Sequence, residues 1–201
     1  MERGINPTKL ANSKDLLPQL AQTIEGWRKA DPPTTKQLPV ESDVPELLVA
    51  TGRRPGASEL VKAVGDWTLV AFYYLLRVGE YTIKGSRNET KQTTQFRMRD
   101  VTFFRKDKQG RLRQLSRLAP AWAILSADGA TLKLDNQKNG WKGVCIHHEA
   151  NGEDYYCPVK ASGRHFVHIR DGSATTDGTT FLSAYFMDGK RYDVTDKNIR
   201  D

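Results

Sequence analysis

Apolar residues follow a helical period in the first third of this chain and a period of two in its middle. Leu17, Leu20, Ile24 and Trp27 recur at helical spacing behind Asn12-Ser13, a pair able to cap. Pro18 is tolerable in a first turn, so the pattern predicts a short amphipathic helix ending near Ala30. Asp31-Pro32-Pro33-Thr34-Thr35 breaks it and starts an extended connector to about Pro39. A second short helix is predicted over 44–50, and Gly52-Arg53-Arg54-Pro55-Gly56 reads as a loop. Ser58 then caps a long apolar helix expected to run to about Arg77, with a weak point at Gly65. Beyond it, Asp100-Val101-Thr102-Phe103-Phe104, Ala130-Thr131-Leu132-Lys133-Leu134 and Gly143-Val144-Cys145-Ile146-His147 read as strands. Asn139-Gly140 lies between the last two and marks a hairpin with a loop longer than two residues. From Tyr156-Cys157-Pro158-Val159 onward helix and loop resume, with a small-residue loop over 171–180. Val194-Thr195-Asp196 opens a further helix, capped by Thr195 or Asp196, whose apolar face is missing where the sequence stops at Asp201.

These elements predict an α+β fold, mainly helical, with a small antiparallel sheet of about three strands and an incomplete C-terminus. Residues 1–30 are expected to be the end of an N-terminal helical segment, 31–43 a linker and 44–201 an incomplete domain. No internal repeat is visible.

Hydrophobic residues make up 38% of the 201, and mean hydropathy is −0.61. No apolar stretch reaches the roughly 20 residues of a membrane span. The nearest candidate, 61–76, is interrupted by Lys62 and Asp66. The N-terminus has no apolar core of a secretory signal, and two cysteines make no disulfide framework, so a reducing compartment and no secretion are expected. The net charge of +7 is unevenly spread. Between Lys84 and Arg117 stand eleven basic residues against three acidic ones, so this short segment supplies the whole excess. A field of that sign favours a polyanion and makes its binding sensitive to salt.

Leu76-Arg77-Val78-Gly79-Glu80-Tyr81 sits where the long apolar helix is expected to end. An arginine held there grips phosphate as a planar, permanently charged fork. The plainer reading is an Arg–Glu pair that caps a buried helix. Downstream, Gln137-Lys138-Asn139-Gly140-Trp141-Lys142 puts lysines at a hairpin turn.

The order of parts resembles the catalytic domain of the tyrosine recombinases (phage-integrase-like enzymes), closest to the forms found in eukaryotic mobile elements. Leu76-Arg77-Val78-Gly79-Glu80 is similar to the family's Leu-Arg-x-x-Glu box, and Gln137 to Lys142 to its Lys-Thr-Gly-x-Lys turn. Phe96-Arg97-Met98-Arg99-Asp100-Val101 fits the segment after the arginine box. Asp31-Pro32-Pro33 through Leu38-Pro39-Val40 looks like the linker into the domain, and Cys157-Pro158-Val159 like a segment beyond the hairpin. The resemblance covers roughly 31–201. It implies attack of a tyrosine on a phosphodiester of double-stranded DNA, with preorganised cations stabilising the charge that develops. Arg77 would be one such clamp, and Lys138 the general acid that protonates the leaving 5′-oxygen, with Lys142 the competing candidate. Glu80 would support the arginine. Lys84, Arg87, Lys91 and Lys142 would contact the duplex. No cofactor is implied, and location is nuclear if the eukaryotic likeness holds, otherwise cytoplasmic. Self-association on DNA is implied only for a full-length protein.

The family also needs a His-x-x-Arg box, a further His or Trp and a nucleophilic tyrosine beyond the hairpin. His147, His148, His165 and His168 are followed three residues later by Ala150, Asn151, His168 and Asp171, so none opens that box. Tyr185 and Tyr192 come too early for the nucleophile. The expectation is therefore the first part of a recombinase that binds DNA and does not cleave it. Two other readings stand beside it. A DNA-binding or relic domain would use the same basic segment without chemistry. A small zinc-binding domain would use Cys145, His147, His148, Cys157, His165 and His168, although their spacings match no common zinc module.

Overall fold

A computed structural model describes residues 41–83, 95–134, 143–173 and 177–200. The chain divides after Val40 into two units. The predicted first helix and the connector lie outside the described residues, all of which belong to the second unit.

Helices α1 (Asp43–Gly52) and α2 (Glu59–Tyr73) form a packed pair. Ser58 caps α2 as its sequence predicts, its hydroxyl accepting from the Val61 N–H at 3.3 Å. Gly65 is not the expected weak point. It is buried in mid-helix, where a Cβ would stand 2.7 Å from the Leu48 carbonyl oxygen and 3.1 Å from the Val49 Cα. Glycine is there because the two backbones approach too closely for any side chain. Beside it, Asp66 is also buried. It accepts from the Arg164 Nη2 at 2.6 Å and Nε at 3.1 Å, and is paired with Arg53 as well. A carboxylate this far from water requires such partners. Here they tie α2 to the turn after α1 and to α5 (Pro158–Gly172).

The fold is α+β. A 3₁₀ turn at Met98–Asp100 leads into β1 (Val101–Lys106), which pairs with β2 (Leu112–Gln114) and β3 (Gly129–Leu134). β4 (Val144–Glu149) completes an antiparallel sheet of order β2-β1-β3-β4. Between β2 and β3 lies the short α4 (Ala121–Leu125). The sheet therefore has four strands, one more than expected. All three residues of β2 are exposed, so no alternation betrays it in the sequence. β1 and β3 do alternate: Val101, Phe103, Ala130, Leu132 and Leu134 are buried. Phe103 meets Phe166 of α5 edge to face at 5.2 Å. Thr102, Thr131, Lys133, Cys145 and His147 share the opposite, outer face.

Helix α5 runs through the predicted region and ends at Gly172. A second hairpin follows, β5 (Ala184–Met187) with β6 (Lys190–Asp193). Its turn, Asp188-Gly189, has φ values of 53° and 70°, the pair a two-residue primed turn demands. Helix α6 (Asp196–Arg200) opens where expected, and Thr195 is the cap. Its hydroxyl accepts from the Asn198 N–H at 3.3 Å, and the Asn198 side chain accepts in return from the Thr195 N–H at 2.9 Å.

Replacing Gly65 by alanine forces α1 and α2 apart against backbone atoms that cannot rotate away. The expected cost is about 1–3 kcal/mol, read as a fall in the urea unfolding midpoint with unchanged slope. An unchanged midpoint would show that the pair separates without cost.

Candidate functional site

The arginine box is not the end of α2. That helix stops at Tyr73, short of the Arg77 its apolar run predicts. Leu75 then adopts φ 55°, and the Leu76 N–H reaches back to the Ala71 carbonyl at 2.8 Å while the Leu75 N–H donates to the Phe72 carbonyl at 3.2 Å. This is the helix-terminating pattern that glycine normally occupies. A leucine in the left-handed region costs about 1–2 kcal/mol, and Leu75 is also 87% exposed. One position thus carries backbone strain and an unburied apolar side chain, just before Arg77.

Arg77 begins a new one-turn helix, α3 (Val78–Tyr81), with extended backbone. The Glu80 carboxylate accepts from the Arg77 N–H at 2.9 Å, and the Glu80 N–H donates to the Arg77 carbonyl at 2.7 Å. Glu80 is buried and the Arg77 side chain is exposed. The acid of the box therefore fixes the main chain of the arginine. The same device recurs at the start of β1, where Asp100 accepts from the Arg97 N–H at 2.7 Å. The turn is stitched down further by the Trp67 indole N–H, which donates to the Tyr81 carbonyl at 2.8 Å. Tyr81 packs edge to face on Trp67 at 6.5 Å.

Two bonds lock the segment before the box to the sheet. The Tyr74 hydroxyl donates to the Ala130 carbonyl of β3 at 3.0 Å. His148 of β4 places Nε2 3.1 Å from the Tyr73 carbonyl, and its ring lies against both tyrosines. Arg77 and the β3–β4 hairpin are in this way parts of one joint, which sequence reasoning missed. Its only signal in the sequence is a pair of adjacent tyrosines at the end of an apolar run. The hairpin pairs as its alternation predicts, from Gly129–Glu149 to Leu134–Val144. Lys138 and Lys142, between its strands in the chain, and Lys84, Arg87 and Lys91 after the box, lie outside the described residues.

The rest of the basic segment does not make one surface. Lys106 pairs with Glu149, and Arg111 and Arg113 share Asp107, all at the β1–β2 end of the sheet. These pairs are exposed and contribute little to stability. Asp107 sits below its ordinary carboxyl range, chiefly because it accepts from the Arg111 N–H. Arg105 lies over the exposed Trp122 ring at 5.2 Å, and Arg97 over Phe181 at 5.0 Å. Arg99 and Arg117 are elsewhere, beside the loop at 177–178.

The histidines and cysteines are dispersed. His147 bonds the Thr131 hydroxyl at 2.8 Å on the outer face, and His148 serves the joint. His165 is buried and stacked on Trp67 at 5.5 Å, its Nε2 donating to the Leu182 carbonyl at 2.6 Å. Burial lowers its pKa to about 4, so it is a neutral core residue. His168 accepts from the Phe186 N–H at 2.9 Å through Nε2, which puts its proton on Nδ1, 3.5 Å from Glu59. Cys157 is buried and Cys145 exposed. Among the described residues no three ligating side chains come together for a metal. Tyr185 and Tyr192 stack on each other at 5.5 Å across the second hairpin.

No known protein family, curated protein or solved structure matches the chain. Among the described residues no helix is long and apolar enough to cross a membrane.

The strain at Leu75 has a direct readout. Leu75→Gly removes the left-handed penalty and should raise stability by about 1 kcal/mol, seen as a higher thermal midpoint. A loss of stability would mean that the leucine side chain makes a contact worth more than its strain.

Proposed function

We propose that the chain binds double-stranded DNA and that Arg77 grips a backbone phosphate, in a domain that resembles the first part of a tyrosine recombinase. One observation carries the reading. A strained, exposed leucine and a buried glutamate act together on the main chain of a single exposed arginine, at a joint that also fixes the strands of the β3–β4 hairpin. Strain of this kind persists where surrounding structure holds a residue for a task. The order of helix, arginine turn and antiparallel hairpin is the order in which the resemblance expects clamp and general acid.

In that role Arg77 contributes two donors to the non-bridging oxygens of one phosphate, and Lys138 adds positive charge from the segment between β3 and β4 in the chain. Glu80 acts by position, its carboxylate accepting from the backbone N–H of Arg77. The 201 residues hold no His-x-x-Arg, so binding without strand cleavage is the activity proposed for them. A metal-binding role is disfavoured by the separation of the six cysteines and histidines among the described residues.

Duplex binding should weaken steeply with added salt. Arg77→Ala should lower affinity about tenfold, and Arg77→Lys by less, because charge without the fork restores only part of the contact. Incubation with nicked duplex that traps covalent intermediates should yield no adduct stable to denaturation. If Arg77→Ala binds as well as the parent while other basic substitutions weaken it, the clamp is wrong and only a diffuse DNA-binding face remains.

A further inference from the structure

The outer face of the four-stranded sheet carries a second cationic feature that the Arg77 reading does not use. A cleft of about 570 Å³ opens there between the 3₁₀ turn, the end of β2, β3 and the 177–178 loop. Arg99, Arg117 and Lys133 enter it from three separate elements. Thr102 and Gln114 line its floor on the outer side of β1 and β2.

The arginines are seated by construction. Gly178 has φ 80°, and a Cβ on it would fall 2.1 Å from the Arg117 Nη1, so the guanidinium occupies the space a side chain would take. Arg117 also donates to the Asp177 carbonyl at 3.4 Å. The Arg99 N–H donates to the Gly178 carbonyl at 3.0 Å, which places that residue from the other side of the same loop. The two acids of the cleft brace the frame. Asp100 accepts from the Arg97 N–H at 2.7 Å and also pairs with the Arg99 Nε at 3.9 Å, and Asp177 accepts from the Thr179 N–H at 2.9 Å and hydroxyl at 2.8 Å. Two residues along β1 from Thr102, about 7 Å, Phe104 meets the exposed His147 ring at 5.6 Å. Gly129 makes this possible, because a Cβ there would stand 2.9 Å from the His147 Cε1.

We infer that this cleft binds the phosphate of a nucleotide, with the base resting on the Phe104–His147 surface. Three cations converging on a polar cleft of small-ligand size recognise phosphate oxygens, and a half-exposed aromatic pair one strand repeat away offers a base its face. The side of the sheet that packs on α5 is the opposite one, so the cleft is separate from Arg77 and does not rest on the recombinase reading. The phosphate has two possible sources, a free nucleotide or a single strand of nucleic acid.

The full chain is titrated separately with ADP and with a labelled oligonucleotide of ten thymidines, alongside Arg117→Ala/Lys133→Ala and the control Lys190→Ala. At least one probe should bind saturably. The double variant should weaken it about tenfold or more, and Lys190→Ala, which removes an exposed cation of the β5–β6 hairpin, should leave it unchanged. Binding of ADP identifies the free nucleotide as sufficient. Binding of the oligonucleotide alone, with a salt slope reduced by about 0.7 per cation removed, identifies the strand. Lys133→Glu alone, at an exposed strand position, serves as the second variant if the double variant loses its circular-dichroism signature. Failure of both probes to bind at millimolar concentration, or equal binding by parent and variants, overturns the inference.

Discussion

The hydroxyl of Tyr74 on the Ala130 carbonyl is the contact around which this domain is arranged. Both groups are buried, and neither has water as an alternative partner. Burial also pushes the hydroxyl's pKa up, with Cys157 adding to the effect, so it stays a donor at any ordinary pH. The bond ends α2 against β3, and His148 repeats the tie one strand further on through the Tyr73 carbonyl. With α2 fixed to the sheet, the chain must turn sharply to leave, and Leu75 takes the left-handed conformation that makes the turn. Arg77 emerges from that turn with its main chain bonded to Glu80. Arginine turn, strain and hairpin placement are consequences of one buried joint.

The other polar groups of α2 act in the same way at different points of its length. Asp66 joins it to Arg53 and Arg164, and Trp67 joins it to Tyr81 on one side and to the neutral His165 ring on the other. An apolar helix buried on most sides is positioned here by a few satisfied polar contacts. They choose one arrangement where apolar packing alone would accept several. The basic residues divide accordingly. Some are framework, such as Arg164 under Asp66 and Arg97 over Phe181. Others have a fixed place at the surface: the Arg77 main chain is bonded to Glu80 and that of Arg99 to the Gly178 carbonyl, while Arg117 donates from its guanidinium to the Asp177 carbonyl.

Helices α1 and α2, the strands β1, β3 and β4, and the Thr195 cap are legible in the sequence because each rests on local periodicity or local capping chemistry. The end of α2 is not, because Leu75 does the work of a glycine and nothing in the local pattern marks it. Gly65 reads as a weakness in the sequence because its reason, the Leu48 carbonyl, lies on another helix. β2 has no buried face to write a pattern. The β5–β6 turn does carry a signal, Asp188-Gly189 between two short runs, which the sequence reading passes over in favour of helix and loop. The arginine box is visible as a motif, but its setting depends on Tyr74, Ala130 and His148. These are far apart in the chain, and only the fold brings them together.

The most direct test of the central claim is to watch arginine side chains while DNA is added. In a sample labelled at arginine Nε, titration with a short duplex at low salt should shift and broaden the Arg77 side-chain resonance first, with Arg164 and Arg97 unaffected in their packed contacts. Saturation of binding with the Arg77 signal unmoved, and perturbation confined to Arg111 and Arg113 at the far hairpin, would contradict it.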